Sequence, residues 1–193
     1  MTNDQARADI ALIRAALEEG RSYATAHSPD MIIWGCLIAT GYLGTWASVT
    51  GHLPIPDGWL WLGIITAGWL VYIVLRRTRR PAARRPMVLA LRMMWLGIGI
   101  GLTVTALAGN YHGHLRVGWF DPFGAAILGA GFFASATLAG LPWLRWIALA
   151  WWLGELGTFW LLGDISSLPF SAAMYLLLLA GPGLALYLRP RAP

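Results

Sequence analysis

Residues 31–50 read MIIWGCLIATGYLGTWASVT and contain no charged side chain. A helix needs about 20 residues to cross about 30 Å of hydrocarbon, because each residue adds about 1.5 Å to its length. The segment also lacks the strict alternation of apolar and polar residues that is typical of a membrane β-strand. It therefore predicts a transmembrane helix.

Five further apolar stretches follow, approximately at residues 59–75, 87–109, 122–140, 143–163 and 169–188. Proline falls in the expected first turn of most spans, where its missing N–H costs nothing; these prolines are Pro29, Pro86, Pro122, Pro142 and Pro169. Short polar side chains nearby are expected N-caps, namely Ser28, Asp57, Asp121 and Ser167. We predict an all-α, polytopic membrane protein with six transmembrane helices arranged as three hairpins.

The composition of the whole chain agrees with this prediction. Of 193 residues, 58% are hydrophobic and 12% are charged, and the mean hydropathy is +0.59. Soluble domains carry about 25% charged residues, so this composition excludes a water-exposed globular fold as well as a disordered chain. A single cysteine excludes a disulfide framework and a zinc site built from several cysteines.

The arginines predict the orientation of the helices. The chain has no lysine, and if the six spans alternate, twelve arginines lie on one side and only Arg116 lies on the other. Half of the twelve are in the loop at 76–86, namely Arg76, Arg77, Arg79, Arg80, Arg84 and Arg85. Arginine-rich loops stay in the cytoplasm, so both termini are expected there. This role accounts for the basic loop without direct contact to nucleic acid.

The first 28 residues form a separate cytoplasmic segment, ahead of a transmembrane domain at 29–189 and a short tail at 190–193. Ala6, Ile10, Ile13 and Leu17 recur at helical spacing, which predicts an amphipathic helix from Asn3 to Glu19 that stops at Gly20. Such a helix could pack under the bundle, lie on the inner leaflet or bind a cytoplasmic protein.

Two charged residues fall inside the predicted spans. Glu155 lies close to the middle of the fifth span, where an ionised carboxylate must be paired or hydrated. It is a candidate proton or cation site, or else an acid that holds the bundle together. Arg92, in the third span, could reach toward Glu155 or extend to the headgroups.

Histidines cluster in the expected outer turns. His112 and His114 point the same way in an extended segment, and His52 lies in the neighbouring outer turn. These three side chains are candidates for a metal site or for sensing pH, although a polar interfacial turn needs no ligand. No cofactor is expected elsewhere, since the chain contains no phosphate-binding loop and no nucleophile or metalloprotease motif.

The opening of the chain resembles a loose set of uncharacterised bacterial membrane proteins of about 200 residues. The resemblance rests on ARADIALIRAALEEGR at 6–21 and SPDMIIWG at 28–35, together with the number of spans. It implies a protein of the bacterial inner membrane that works with a separately encoded regulator. It implies no activity, and therefore no catalytic residue.

Two functions fit these observations. The first is a non-enzymatic sensor or regulatory module, whose N-terminal helix and basic cytoplasmic face bind a partner protein. The second is a small proton- or cation-linked transporter or channel, which could act as a homodimer and uses Glu155. Both place the protein in the lipid bilayer, and neither requires enzymatic chemistry.

Overall fold

The computed structural model describes residues 3–78, 86–112 and 118–188, and within them the chain forms seven helices and no strand. This confirms the all-helical fold class. The helices are α1 (Asn3–Ala26), α2 (Ser28–Val49), α3 (Asp57–Thr78), α4 (Pro86–His112), α5 (Asp121–Leu138), α6 (Leu144–Trp160) and α7 (Ser167–Tyr187).

Five of these helices, α2, α3, α4, α5 and α7, are long and apolar enough to cross a membrane. The remaining predicted span, α6, has 17 residues, or about 26 Å, which is shorter than a hydrocarbon core of about 30 Å. The six-span count therefore remains a prediction. Large apolar side chains cover the outside of α3 and α4, for example Leu70, Val74 and Val104, each more than half exposed. Soluble proteins rarely expose apolar surface of this extent.

The most extensive helix pairs are α5 with α6 and α2 with α7. Small residues bring the helices close together, because a Cβ added at Gly35 of α2 would lie 2.7 Å from the backbone nitrogen of Ala180 in α7. Helix α3 packs on α2, and α4 packs on α5. The predicted hairpins pair α2 with α3, α4 with α5 and α6 with α7. Neither of the two most extensive pairs is among them, so the three-hairpin arrangement also stays a prediction.

The helix starts follow the prolines, but the caps predicted at Ser28, Asp121 and Ser167 are wrong. Pro29 and Pro122 occupy the first turns of α2 and α5, as expected. The residues before α2, α5 and α7 make no side-chain capping hydrogen bond. The Ser28 hydroxyl donates to the Thr25 carbonyl at 2.7 Å, and the Ser167 hydroxyl donates to the Asp164 carbonyl at 2.7 Å. These hydroxyls therefore secure the turns that enter the helices.

Helix α1 continues to Ala26, so the predicted stop at Gly20 is wrong. Gly20 is instead a point of close approach: a Cβ there would lie 2.4 Å from the carbonyl oxygen of Leu138. The Arg21 guanidinium donates to the Gly140 carbonyl at 3.4 Å. The second half of α1 thus packs against the turn between α5 and α6, while Ile10 and Ile13 remain exposed.

Helix α7 contains one π-helical turn, Leu176–Ala180, followed by Pro182. A proline has no N–H to donate to the carbonyl four residues earlier, and π turns accommodate such interruptions. Tyr175 and Leu179, at and within this turn, face the interior of the bundle. The irregular part of α7 therefore lies beside the cavity described next.

Candidate ligand-binding cavity

A cavity of about 410 Å³ runs between α2 and α3 on one side and α4 and α5 on the other. Its size falls within the range of about 300–1,000 Å³ that is typical of small-molecule sites. The walls are mainly apolar and aromatic, and the large rings among them include Trp34, Trp61, Trp69, Trp95, Tyr42 and Phe132. Polar side chains concentrate at its two ends. We call them the α1 end, which contains His27, Asp30 and Arg92, and the Asp121 end, which contains Asp57 and Asp121.

Hydrogen bonds fix the tryptophans in the middle of the cavity. The Trp69 indole N–H donates to the Thr103 hydroxyl at 3.2 Å, which joins α3 to α4. The Trp95 indole N–H donates to the Ser135 hydroxyl at 3.0 Å, which joins α4 to α5. A buried indole N–H needs such a partner, so each bond sets the orientation of its ring. The cavity therefore has defined aromatic walls.

Asp121 is the most buried acid of the cavity, with 4% of its surface exposed. Its carboxylate accepts a hydrogen bond from the Tyr42 hydroxyl at 2.5 Å and one from the Ser171 hydroxyl at 2.6 Å. Since Tyr42 is on α2 and Ser171 is on α7, one side chain at the start of α5 connects three helices. Gly118 leaves room for it, because this turn has φ +76° and an added Cβ would lie 3.3 Å from Asp121 Oδ2.

Asp57 lies at the same end of the cavity, at the start of α3. Its carboxylate accepts a hydrogen bond from the Thr45 hydroxyl, which in turn accepts one from the Trp61 indole at 3.0 Å. Thr45 and Tyr42 are three residues apart on α2 and therefore share a face of that helix. The rings of Tyr42 and Trp61 meet edge to face with their centroids 5.2 Å apart. The two carboxylates are thus held by neighbouring hydroxyls of one helix.

The α1 end of the cavity is lined by Tyr23, His27, Asp30 and Arg92. The rings of Tyr23 and His27 stack with their centroids 4.0 Å apart, at the junction of α1 and α2. Tyr23 belongs to α1, so the N-terminal helix forms part of the cavity wall. A molecule at the α1 end of the cavity would therefore touch both the spans and α1.

The structure separates the two charged residues that the sequence places inside spans. Arg92 is half-buried on α4 and lines the cavity, whereas Glu155 is half-buried on α6 and does not line it. Within the part of the chain that the structure describes, the two side chains form no ion pair with each other. The Glu155 carbonyl accepts a hydrogen bond from the Thr158 hydroxyl at 2.8 Å.

The outer histidines are placed only in part. His52 follows the Gly51 turn, where its Nδ1 lies 2.8 Å from the Thr50 hydroxyl and its ring stacks on Trp46. The side chain of His112 and the whole of His114 lie outside the described residues. Among the residues that are described, no three of His, Cys, Asp and Glu come together as a metal site.

The basic loop is also placed only in part. Arg76 and Arg77 are exposed in the last turn of α3, and Arg79, Arg80, Arg84 and Arg85 lie outside the described residues.

At the opposite end of the helices, Asp164 lies in the turn before α7. The Ser166 hydroxyl donates to its carboxylate at 2.6 Å and the Ser166 N–H at 2.8 Å, and these bonds lower the pKa of Asp164.

Sequence reasoning did not identify Asp121 as a site residue. An Asp followed by Pro at the start of an apolar run is typical of a helix cap, and the sequence predicts only that role for Asp121. The signal that points inward is the spacing of Ser171 and Tyr175, which lie four residues apart on α7. The Ser171 hydroxyl binds Asp121, and the Tyr175 hydroxyl would lie 2.9 Å from a Cβ added at Gly124 of α5. That pairing depends on the packing of α5 against α7, which the sequence does not reveal.

Comparison of the chain with protein-family models, curated proteins and solved structures finds no match.

Proposed function

We propose that this chain is a non-enzymatic regulatory module of the bacterial inner membrane, which senses a small apolar molecule bound in its cavity. The six helices α2 to α7 cross the bilayer, and both termini lie in the cytoplasm with the basic loop. The cavity of about 410 Å³ with its fixed aromatic walls carries this proposal. Its position within the bundle favours a ligand that reaches it from the lipid phase.

The contact between the cavity and α1 supports a regulatory role. Tyr23 and Ala24 of α1 line the cavity, and the same part of α1 packs on the turn between α5 and α6. A ligand that favours one position of α1 over another shifts the population of that position. The exposed Ile10 and Ile13 then offer an apolar face to a cytoplasmic partner.

Equilibrium dialysis of the purified protein against triphenylphosphine oxide, a neutral probe with three phenyl rings, tests the cavity. We expect saturable binding above the background of empty dodecyl maltoside micelles. Gly99→Leu projects a side chain toward Trp69, 3.8 Å from the position of an added Cβ, and should weaken this binding. Gly97→Leu is the matched control, because nothing in the described part of the chain lies within 4 Å of its added Cβ.

Two results would overturn the proposed cavity function. One is the absence of saturable binding to the wild-type protein. The other is binding that both glycine variants retain equally, since the probe would then occupy a different surface.

Single-cysteine labelling in a Cys36→Ala background tests the orientation of the helices in the membrane. Cysteines placed near either terminus should react only from the cytoplasmic side, and one placed at Asp164 only from the outside.

Transport is the second candidate, and the length of the cavity favours it. Lining residues extend from His27 at the start of α2 to Asp57 at the start of α3, so the cavity approaches both ends of the bundle. Asp121 lines this route and Glu155 does not. In proteoliposomes, probe-dependent proton uptake that Asp121→Asn abolishes would favour transport through the cavity. Uptake abolished by Glu155→Gln instead would place the route elsewhere.

A further inference from the structure

We propose that the cavity selects an apolar organic cation, which sits among aromatic rings between the carboxylates of Asp57 and Asp121. This inference rests on the proposed cavity function and assigns the chemical class of its ligand.

The hydrogen bonds that these two acids accept within the described residues come from hydroxyl groups. Asp121 accepts hydrogen bonds from Tyr42 and Ser171, and Asp57 accepts one from Thr45. In the described ranges, no arginine or histidine lies within ion-pair distance of either carboxylate. A carboxylate can accept about four hydrogen bonds, so both retain acceptor capacity.

The charges along the cavity favour a positively charged ligand at the Asp121 end. Among the described residues at the Asp121 end, the charged groups that line the cavity are the carboxylates of Asp57 and Asp121. Arg92, Asp30 and His27 line the α1 end, near the starts of α4 and α2. A carboxylate removed from water is costly unless it is paired, and a bound cation would supply a counter-charge. An anion at this end would meet two acids.

Aromatic rings fill the space beside the acids. The Tyr42 ring packs edge to face against Trp61 at 5.2 Å and stacks on Tyr175 at 5.6 Å, and all three rings line the cavity. The faces of such rings attract organic cations, and the attraction grows when the site excludes water. Small, strongly hydrated cations gain little from aromatic walls, so the arrangement favours a bulky cation with an apolar surface.

Three probes of similar shape and different charge test this inference. Tetraphenylphosphonium, triphenylphosphine oxide and tetraphenylborate are dialysed against the protein in dodecyl maltoside, with empty micelles as background. We expect the phosphonium to bind about tenfold more tightly than the neutral oxide, and the borate more weakly than both. Asp121→Asn and Asp57→Asn should each reduce the preference for the cation while the neutral oxide still binds. Asp164→Asn makes the same chemical change at an exposed acid outside the cavity and should leave the preference intact.

Equal binding of the cation and the anion to the wild-type protein would overturn the inference, and this comparison requires no variant to fold. A cation preference that survives both Asp121→Asn and Asp57→Asn would overturn it as well. If none of the three probes binds, the cavity function itself fails. Binding of the neutral oxide without a cation preference refutes only the ligand class.

Discussion

The indole nitrogen of Trp151 donates a hydrogen bond to the carbonyl of Leu178 at 3.1 Å, and this carbonyl is one that Pro182 leaves without its α-helical donor. In a regular helix, the N–H of residue 182 would bond to residue 178, but proline has no N–H. Trp151 is 1% exposed on α6 and packs beside the π turn of α7. A side chain from one helix thus replaces a main-chain bond that another helix lacks.

The indole bond of Trp151 matters because Pro182 has no N–H to donate. Trp151→Phe should therefore lower the free energy of unfolding more in the native chain than in a Pro182→Ala background. Hydrogen bonds between membrane helices contribute about 0.6 kcal/mol on average and at most about 1.7 kcal/mol, and we expect a coupling energy in this range. Unfolding of the four proteins of this double-mutant cycle in increasing mole fractions of dodecyl sulfate measures it. An identical cost in both backgrounds would mean that the indole bond does not compensate for the proline.

Gly129 should be far less tolerant of substitution than Gly97. A Cβ added at Gly129 would lie 2.3 Å from Trp152 Nε1, at the contact between α5 and α6. Gly97 of α4 has no described atom within 4 Å of an added Cβ. Val at either position has the same helix propensity, so the comparison isolates packing. We expect Gly129→Val to lower the free energy of unfolding by about 1–3 kcal/mol more than Gly97→Val. Equal losses would contradict the close α5–α6 contact.

Gly20→Ala should weaken the packing of α1, although alanine usually stabilises a helix relative to glycine. Gly→Ala within a helix normally stabilises it by about 0.5–1 kcal/mol. At Gly20, however, the new methyl group would meet the main chain of Leu138 and Ala139. Gly20→Ala should therefore loosen α1 and accelerate cleavage by trypsin at Arg14 and Arg21. Gly63→Ala on α3, where nothing described lies within 4 Å, should leave this cleavage unchanged. Unchanged cleavage in Gly20→Ala would show that the contact does not hold α1 in place.

The sequence predicted the features that depend on local pattern, and it failed where packing decides. Apolar length and proline position located the starts of α2, α4, α5 and α7 within a few residues. Gly20 was interpreted as a stop because glycine often ends helices, but here its lack of a side chain admits another main chain. The depth of Glu155 in a predicted span makes it a candidate, but Glu155 does not line the cavity, whereas Asp121 does. Depth can be read from sequence, but which acid faces the interior depends on how the helices pack.

Asp121 should be the acid on which the stability of the bundle depends most. Asp121→Ala removes the acceptor for two buried hydroxyls, those of Tyr42 and Ser171, and an unsatisfied buried polar group costs about 1–3 kcal/mol. Asp121→Asn keeps one carbonyl acceptor and should lose less. Combining Asp121→Ala with Tyr42→Phe and Ser171→Ala removes the stranded hydroxyls and should restore part of the loss. Unfolding in dodecyl sulfate ranks these variants, with Asp164→Ala as an exposed control. If Asp121→Ala unfolds no more readily than Asp164→Ala, the hydroxyl–carboxylate cluster does not join α2, α5 and α7.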